Sequence, residues 1–149
     1  MFPKKGRAIE KHAGGNSFFV DSSAWIALFN RRDQYHESAD RIFRAAVTSK
    51  RSLFTTNLVL AETHRFFLHG AGIKAAAATL AKIEASSLVR IEFAGADHHQ
   101  SAKSWMEKLK DHPISYTDAV SFAVMKAEGC TEAIAFDHHF RLAGFALNL

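Results

Sequence analysis

The chain has 149 residues, of which 48% are hydrophobic and 23% are charged, values that are typical of one globular domain. The longest apolar run near the N-terminus, residues 24–29, is far shorter than the ~20 residues that a membrane-spanning helix needs, and no apolar signal-peptide core precedes it. The single cysteine, Cys130, cannot form an internal disulfide. The composition therefore excludes membrane-spanning and disulfide-stapled proteins and predicts a cytoplasmic protein.

The positive charge is concentrated at the N-terminus. The net charge is +4, and residues 1–15 contain Lys4, Lys5, Arg7 and Lys11 against the single acidic residue Glu10. Because this segment holds most of the basic excess, the net charge is weak evidence for nucleic-acid binding. We expect residues 1–15 to form a flexible basic tail and residues 16–149 to form the folded domain.

Short apolar segments alternate with helical segments along residues 16–149. The predicted strands are residues 17–20, 52–55, 88–92, 133–136 and a short last strand at 145–147. The predicted helices are residues 22–29, 35–47, 57–69, 73–85, 117–128 and a helix around 102–109 that Pro113 stops. We expect Ser22 and Ser23 to cap the first helix, Asn57 to cap the third and Gly129 to close the last. This alternation predicts a three-layer α/β/α sandwich with a mostly parallel sheet.

Two of the predicted strands end at an aspartate, Asp21 after the first and Asp137 after the fourth. Ligands of open parallel sheets bind beyond the carboxyl ends of the strands. A single aspartate at such a position is more often a turn or capping residue than a catalytic group. Two of them at the same sheet edge favour a functional site.

Two further carboxylates stand out on predicted helices. Glu62 has Leu58 and Phe66 four residues before and after it, so it lies on an apolar row and needs solvent, a salt bridge such as one to Arg65, or a ligand. Asp118 lies in the first turn of its helix, where an acidic residue also simply favours the helix dipole. If all four acids meet at one edge, they repel each other unless a cation holds them. Mg²⁺ or Mn²⁺ fits such oxygen ligands, and the composition of the site favours metal-assisted phosphodiester hydrolysis.

Four segments of the sequence carry a resemblance to a known family. They are residues 19–25 (FVDSSAW), 55–62 (TTNLVLAE), 115–119 (SYTDA) and 135–140 (AFDHHF). In this order and on these elements, they resemble the four acidic motifs of PIN-domain ribonucleases, and within that family the VapC-type toxins of bacterial toxin–antitoxin pairs. The resemblance spans residues 16–149 and leaves the basic tail outside it.

The resemblance implies a five-stranded parallel sheet and an endoribonuclease that depends on Mg²⁺ or Mn²⁺ and hydrolyses RNA with a metal-activated water. It implies that the catalytic and metal-binding carboxylates are Asp21, Glu62, Asp118 and Asp137. It places polar residues beside these ligands, where they would orient carboxylates or waters, at Ser22, Asn57 and Thr117.

The implied partners are an RNA substrate and a VapB-type antitoxin. The large apolar residues on the early helices also predict a homodimer, with the candidate contacts Trp25, Phe29, Phe66 and Phe67.

Other residues are weaker candidates for a functional role. For His138 and His139 a capping or solvent role is favoured, although one of them could contact phosphate. His98 and His99 are interpreted as structural residues remote from the four motifs. Basic residues that could line the site for RNA phosphates are Arg31, Arg32, Lys50, Arg51 and Arg141.

Three functions remain open from the sequence. The first is the toxin ribonuclease just described, and the second is an RNA-processing or decay nuclease of the same family that has no antitoxin. The third is a non-catalytic RNA-binding domain, against which the presence of all four acids counts.

Overall fold

The computed structural model describes Phe2 and residues 16–149. The elements of this part of the chain are β1 (Ser17–Val20), α1 (Ser22–Phe29), α2 (His36–Thr48), β2 (Ser52–Thr56), α3 (Asn57–Ala71), α4 (Ile73–Ala85), β3 (Val89–Glu92), α5 (Ala96–Lys108), α6 (Tyr116–Glu128), β4 (Glu132–Ile134), α7 (His139–Leu142) and β5 (Ala146–Leu147). None of the helices in the described residues is long and apolar enough to cross a membrane.

The five strands form one parallel sheet in the order β3-β2-β1-β4-β5. Strand β1 lies in the centre, where Phe19 pairs with Phe54 of β2 and Val20 pairs with Ile134 of β4. Phe19 and Val20 are fully buried, as a central strand with helices on both faces requires. The predicted α/β class and the five-stranded parallel sheet are confirmed.

The helices form a layer on each face of this sheet. The chain runs outward from β1 through β2 to β3, so right-handed crossovers place α1 to α4 on one face. It then returns past β1 to β4 and β5, which places α5, α6 and α7 on the other face. The contacts agree, because α1 packs against α2 and α3, whereas α6 packs against α5 and α7.

The strand order creates a crevice beside β1. The connection that follows β1 leads to β2 on one side, whereas β4 on the other side is reached from β3 across the sheet. Such a change in direction leaves a crevice at the carboxyl ends of the two adjacent strands, here β1 and β4.

Trp25 fastens helix α1 to the sheet. Its indole Nε1 donates to Oγ1 of Thr55 over 3.4 Å, and the Thr55 hydroxyl donates to the carbonyl of Val20 over 2.8 Å. All three residues are fully buried. Phe67 is buried as well, so of the four residues expected to face a second subunit, Trp25 and Phe67 instead belong to the core, and only Phe66 is exposed.

Several predicted helix ends differ from the structure. Asp21 caps α1 through the backbone N–H of Ser23, and Thr56 caps α3 through that of Val59, so the expected caps Ser22, Ser23 and Asn57 are wrong. Helix α5 ends at Lys108, well before Pro113. The short helix α7 is absent from the predicted elements, because four residues carry too little periodicity to indicate a helix.

The predicted basic tail, residues 1–15, lies outside the described residues except for Phe2. The ring of Phe2 lies 6.0 Å from that of Trp25 and 5.8 Å from that of Phe43, measured between ring centroids. This residue therefore packs against the core.

Two glycines differ in what the backbone requires of them. Gly129 follows α6 in the left-handed conformation, with φ 67° and ψ 23°, and a Cβ there would meet no atom within 4 Å. Gly70 lies inside α3, again with open space around it.

We expect Gly129→Ala to lower the free energy of unfolding by about 1 kcal/mol, because a side chain disfavours the left-handed conformation. We expect Gly70→Ala to raise it by up to about 1 kcal/mol, because alanine favours the helix. Urea denaturation measures both changes, and shifts of the same sign would contradict this account.

Candidate active site

The four predicted carboxylates all lie at the carboxyl edge of the sheet. Asp21 directly follows β1, and Asp137 lies three residues beyond the end of β4. Glu62 is on α3, which starts where β2 ends, and Asp118 is in the first turn of α6. The segments that follow β1, β2 and β4, together with the start of α6, therefore carry the four acids.

Asp21 is the most deeply buried of these acids, with 3% of its surface exposed. Its Oδ2 accepts from the backbone N–H of Ser23 over 3.1 Å and from the Ser23 hydroxyl over 2.6 Å. Its Oδ1 is also buried but has no hydrogen-bond partner in the described residues. Burial raises the pKa of Asp21 to about 7, and the negative charge of Asp118 adds to the increase, against the opposing effect of the hydrogen bonds from Ser23.

Glu62 is held by a hydroxyl rather than by a cation. Its Oε2 accepts from the Ser22 hydroxyl over 2.8 Å. Within the described residues Glu62 forms no ion pair, either with Arg65 or with another basic residue. Because Ser22 follows Asp21 in the sequence, this bond ties the end of β1 to helix α3. In this position the charge of Glu62 is close enough to Asp118 to raise the pKa of that acid.

Asp118 is buried and contacts a histidine. Its Oδ2 accepts from Nδ1 of His139 over 3.1 Å, while its backbone N–H donates to the Ser115 hydroxyl over 3.0 Å. Burial is the main cause that raises the pKa of Asp118, the charges of Asp137 and Glu62 raise it further, and the contact with His139 opposes them. Asp118 is thus coupled to each of the other three carboxylates.

His139 bridges two of the acids. Besides the contact with Asp118, its Nδ1 lies 3.4 Å from Oδ1 of Asp137, and its backbone N–H donates to the same oxygen over 3.0 Å. Its side chain is only 14% exposed, whereas that of His138 is 76% exposed and lies 3.8 Å from Asp137. The expectation of a capping or solvent role is therefore wrong for the His139 ring, which the unpredicted helix α7 turns into the site.

Ser23 is a second site residue that the sequence did not single out for this role. Its hydroxyl donates to Asp21 and accepts from the backbone N–H of Phe136 over 3.0 Å. The bond joins the segments that follow β1 and β4, which are 113 residues apart in the chain. One signal in the sequence indicates the contact with Asp21: Ser23 follows that aspartate by two residues, at the start of a predicted helix that a side-chain oxygen would cap.

Other predicted residues lie outside the cluster of acids. The Asn57 side chain accepts from the backbone N–H of Ala94 over 2.9 Å, and in the described chain neither it nor the Thr117 side chain bonds to the four carboxylates. Arg51 precedes β2 and contacts Glu132 at the start of β4, so it lies at the amino edge of the sheet, away from the site, as does Lys50.

In contrast, His99 is not remote from the motifs, because it bonds to the hydroxyl of Tyr116 over 2.9 Å, two residues before Asp118.

The donor set fits a hard divalent cation. Four carboxylates supply the oxygen ligands that Mg²⁺ and Mn²⁺ prefer, and Asp21 Oδ1 is a buried oxygen that no described protein group satisfies. On the outer side, Asp137, His138 and His139 can bring one ligand atom each to within 4.8 Å of one another. A bound cation or bound protons would therefore reduce the repulsion that remains between these carboxylates.

Comparison with known proteins agrees with this geometry. The model of the PIN domain family matches residues 18–146. The chain is 39% identical over 127 residues to the 23S rRNA-specific endonuclease VapC20 of Mycobacterium tuberculosis, covering 85% of this chain and 94% of that protein.

Solved structures show the same fold. The crystal structure of Mycobacterium tuberculosis VapC20, a Sarcin-Ricin loop cleaving toxin, matches with a TM-score of 0.77 and 38% identity over 87% of this chain and 96% of that one. The crystal structure of VapBC2 from Rickettsia felis, bound to a DNA fragment from their promoter, matches with a TM-score of 0.67 and 13% identity over 89% and 97% of the two chains. The family match, the extent of the identity and the shared fold lead to one conclusion: the chain belongs to the PIN-domain family.

Proposed function

We propose that this protein is a divalent-metal-dependent endoribonuclease that acts as the toxin of a toxin–antitoxin pair. The observation that carries the proposal is a buried Asp21 oxygen that has no partner among the described residues, at an edge where the charge of Asp118 acts on Asp21 and the charges of Glu62 and Asp137 act on Asp118. Relatives named as a 23S rRNA-specific endonuclease and as a Sarcin-Ricin loop cleaving toxin favour a structured loop of ribosomal RNA as the substrate.

The residues of the site would have different roles. Asp21, Glu62, Asp118 and Asp137 would hold a Mg²⁺ or Mn²⁺ ion. When bound, such an ion supplies positive charge against the phosphodiester and makes a water easier to ionise. Ser22 and Ser23 donate to Glu62 and Asp21, which keeps the oxygens of these two carboxylates oriented. His139 spaces Asp118 from Asp137 and offsets their repulsion.

A histidine-only mechanism without metal is less well supported. It needs an imidazole free to act as base and another free to act as acid. His138 and His139 are adjacent, with 4.6 Å between their ring centroids, so they reach a substrate from the same side, whereas the base and the acid act on opposite sides of the phosphorus. The cluster of acids would have no role in such a mechanism.

The first test removes one carboxylate charge at constant shape. Asp118→Asn is expected to lower RNA cleavage by more than about 100-fold, because it removes a ligand charge from the cation site. The variant should remain folded, since burial already favours the neutral form of Asp118. Asp97→Asn, which changes an exposed acid in the first turn of α5, is the matched control and should cleave like the original protein. Cleavage of an rRNA fragment followed on gels, with circular dichroism as the check of folding, measures both. Full activity of Asp118→Asn would contradict the proposed mechanism.

A second test combines metal and pH. Activity should disappear in EDTA and return with Mg²⁺ or Mn²⁺. It should also increase as the pH rises through about 7, because below that pH a proton occupies Asp21 and competes with the cation. The products should carry a 5′-phosphate and a 3′-hydroxyl, since a water oxygen bonds to the phosphorus while the bond to the 3′-oxygen breaks and that oxygen takes up a proton. End-labelling of the products distinguishes these ends, and a 2′,3′-cyclic phosphate formed in EDTA would favour the histidine mechanism instead.

A third test concerns the protein partners. We infer a homodimer that binds a small VapB-type antitoxin, supported by the exposed Phe66 on α3 and by the VapBC2 pair seen with a related fold. Expression together with any small reading frame that neighbours its gene should yield a co-purifying complex. Light scattering of the isolated chain should give twice the mass of one subunit. Phe66→Asp should shift that mass toward the monomer, whereas Phe93→Asp, at an even more exposed aromatic residue, should not. A monomer at micromolar concentration without any co-purifying partner would overturn the inference.

A further inference from the structure

An aromatic pair lies beside the carboxylates and has no part in holding them. Tyr35, in the loop between α1 and α2, stacks on Phe136 with 4.5 Å between the ring centroids and 5° between the ring planes. We call Tyr35 and Phe136 the aromatic platform. Tyr35 is 41% exposed and Phe136 is half-buried, so Phe136 supports Tyr35 from below while part of the Tyr35 ring remains open.

The aromatic platform is connected to the site through Ser23. Phe136 immediately precedes Asp137, and its backbone N–H donates to the Ser23 hydroxyl, which in turn donates to Asp21. One serine therefore fixes both the base of the aromatic platform and the most buried carboxylate. A group stacked on Tyr35 lies next to the site rather than on a distant surface.

The loop that carries Tyr35 is held in place. The backbone N–H of Tyr35 donates to Asp33 over 2.8 Å, and the ring of the next residue, His36, contacts the carbonyl of Ala27 over 2.8 Å. Two exposed basic residues, Arg31 and Arg32, precede Tyr35 on the same loop, and neither forms an ion pair within the described residues. The loop thus presents a fixed ring together with available positive charge.

We propose that the aromatic platform stacks one unpaired RNA base adjacent to the scissile phosphate, with Arg31 and Arg32 contacting the flanking phosphates. The proposal rests on the ribonuclease function proposed above and names the contact by which that site recognises a looped strand. Every nucleobase has a flat face that can stack on an aromatic ring, whereas a paired base in a helix has no free face. The aromatic platform therefore favours unpaired over duplex RNA.

The kinetic test uses a synthetic RNA hairpin whose loop contains the site that the unaltered protein cleaves. Tyr35→Leu should raise KM by about 5-fold to about 100-fold, the range expected for one lost stacking contact, with a smaller change in kcat. Tyr35→Phe keeps the ring and should restore KM to within about twofold of the original value. Ile73→Ala, at the exposed first residue of α4 and eleven residues after Glu62 in the chain, is the control and should leave both constants unchanged.

A second measurement identifies the contact as stacking on a base. Replacing the nucleotide next to the cleavage site by an abasic one should raise KM of the original protein as much as Tyr35→Leu does. Combining the two changes should then give little further loss. In the inactive Asp118→Asn background, 2-aminopurine at that nucleotide should be quenched on binding, and Tyr35→Leu should abolish the quenching.

The outcomes separate this inference from the proposed function. If the original protein cleaves no RNA, both fail. If it cleaves the hairpin but Tyr35→Leu behaves like Ile73→Ala, only the stacking contact is overturned. The stacking contact is also overturned if Tyr35→Phe loses as much as Tyr35→Leu, since a hydroxyl contact would then be responsible. It is overturned as well if Tyr35→Leu weakens only the binding of a protein partner.

Discussion

The repulsion among carboxylates at the carboxyl edge of the sheet, where Asp118 is coupled to Asp21, Glu62 and Asp137, is the constraint on which the arrangement of this edge depends. Desolvation and the charge of Asp118 push Asp21 toward its neutral form, and Asp118 is pushed in the same direction by Asp137 and Glu62. Hydroxyls of Ser22 and Ser23 and the ring of His139 offset part of this cost. What they leave is one buried Asp21 oxygen without a partner in the described chain, which is the position where a cation would satisfy the arrangement. Burial of Asp21 and Asp118 beside like charges is therefore unfavourable for the stability of the fold at this edge.

The rest of the fold supplies a rigid frame for this unfavourable arrangement. Strand β1 is buried at the centre of the sheet, and the Trp25–Thr55–Val20 bonds hold α1 against the strands on which the acids depend. Because Asp21 is both the first residue after β1 and the cap of α1, its carboxylate has little freedom to move away from Asp118. At the opposite edge of the sheet, Arg51 and Glu132 instead form an ion pair between opposite charges.

Ser23 connects the chemistry of the site to the surface around it. Its hydroxyl contacts Asp21 on one side and the backbone of Phe136 on the other, so the position of the aromatic platform and the orientation of the carboxylate are set by the same group. The Ser23 hydroxyl can make both contacts because the strand order places the segments after β1 and β4 side by side. Recognition of a substrate and the reaction on it would thus depend on one junction of the fold.

Local sequence patterns are sufficient to predict the class of fold and the sheet edge where the acids lie. Apolar runs that end at Asp21 and near Asp137, and the helical periodicity between them, predict a parallel sheet whose carboxyl edge collects these residues, and helix α4 has the predicted bounds. The contacts inside the site between residues distant in the sequence depend on the tertiary structure. The bond from Phe136 to Ser23 spans 113 residues, and that from His139 to Asp118 spans 21 residues and depends on the short helix α7. Local patterns report which face of a strand or helix is apolar, but the partner of a polar side chain depends on which distant segment packs beside it. Asn57 and Arg51 show this limit, because their polar side chains are directed to Ala94 and Glu132 by the packing of strands that are remote in sequence.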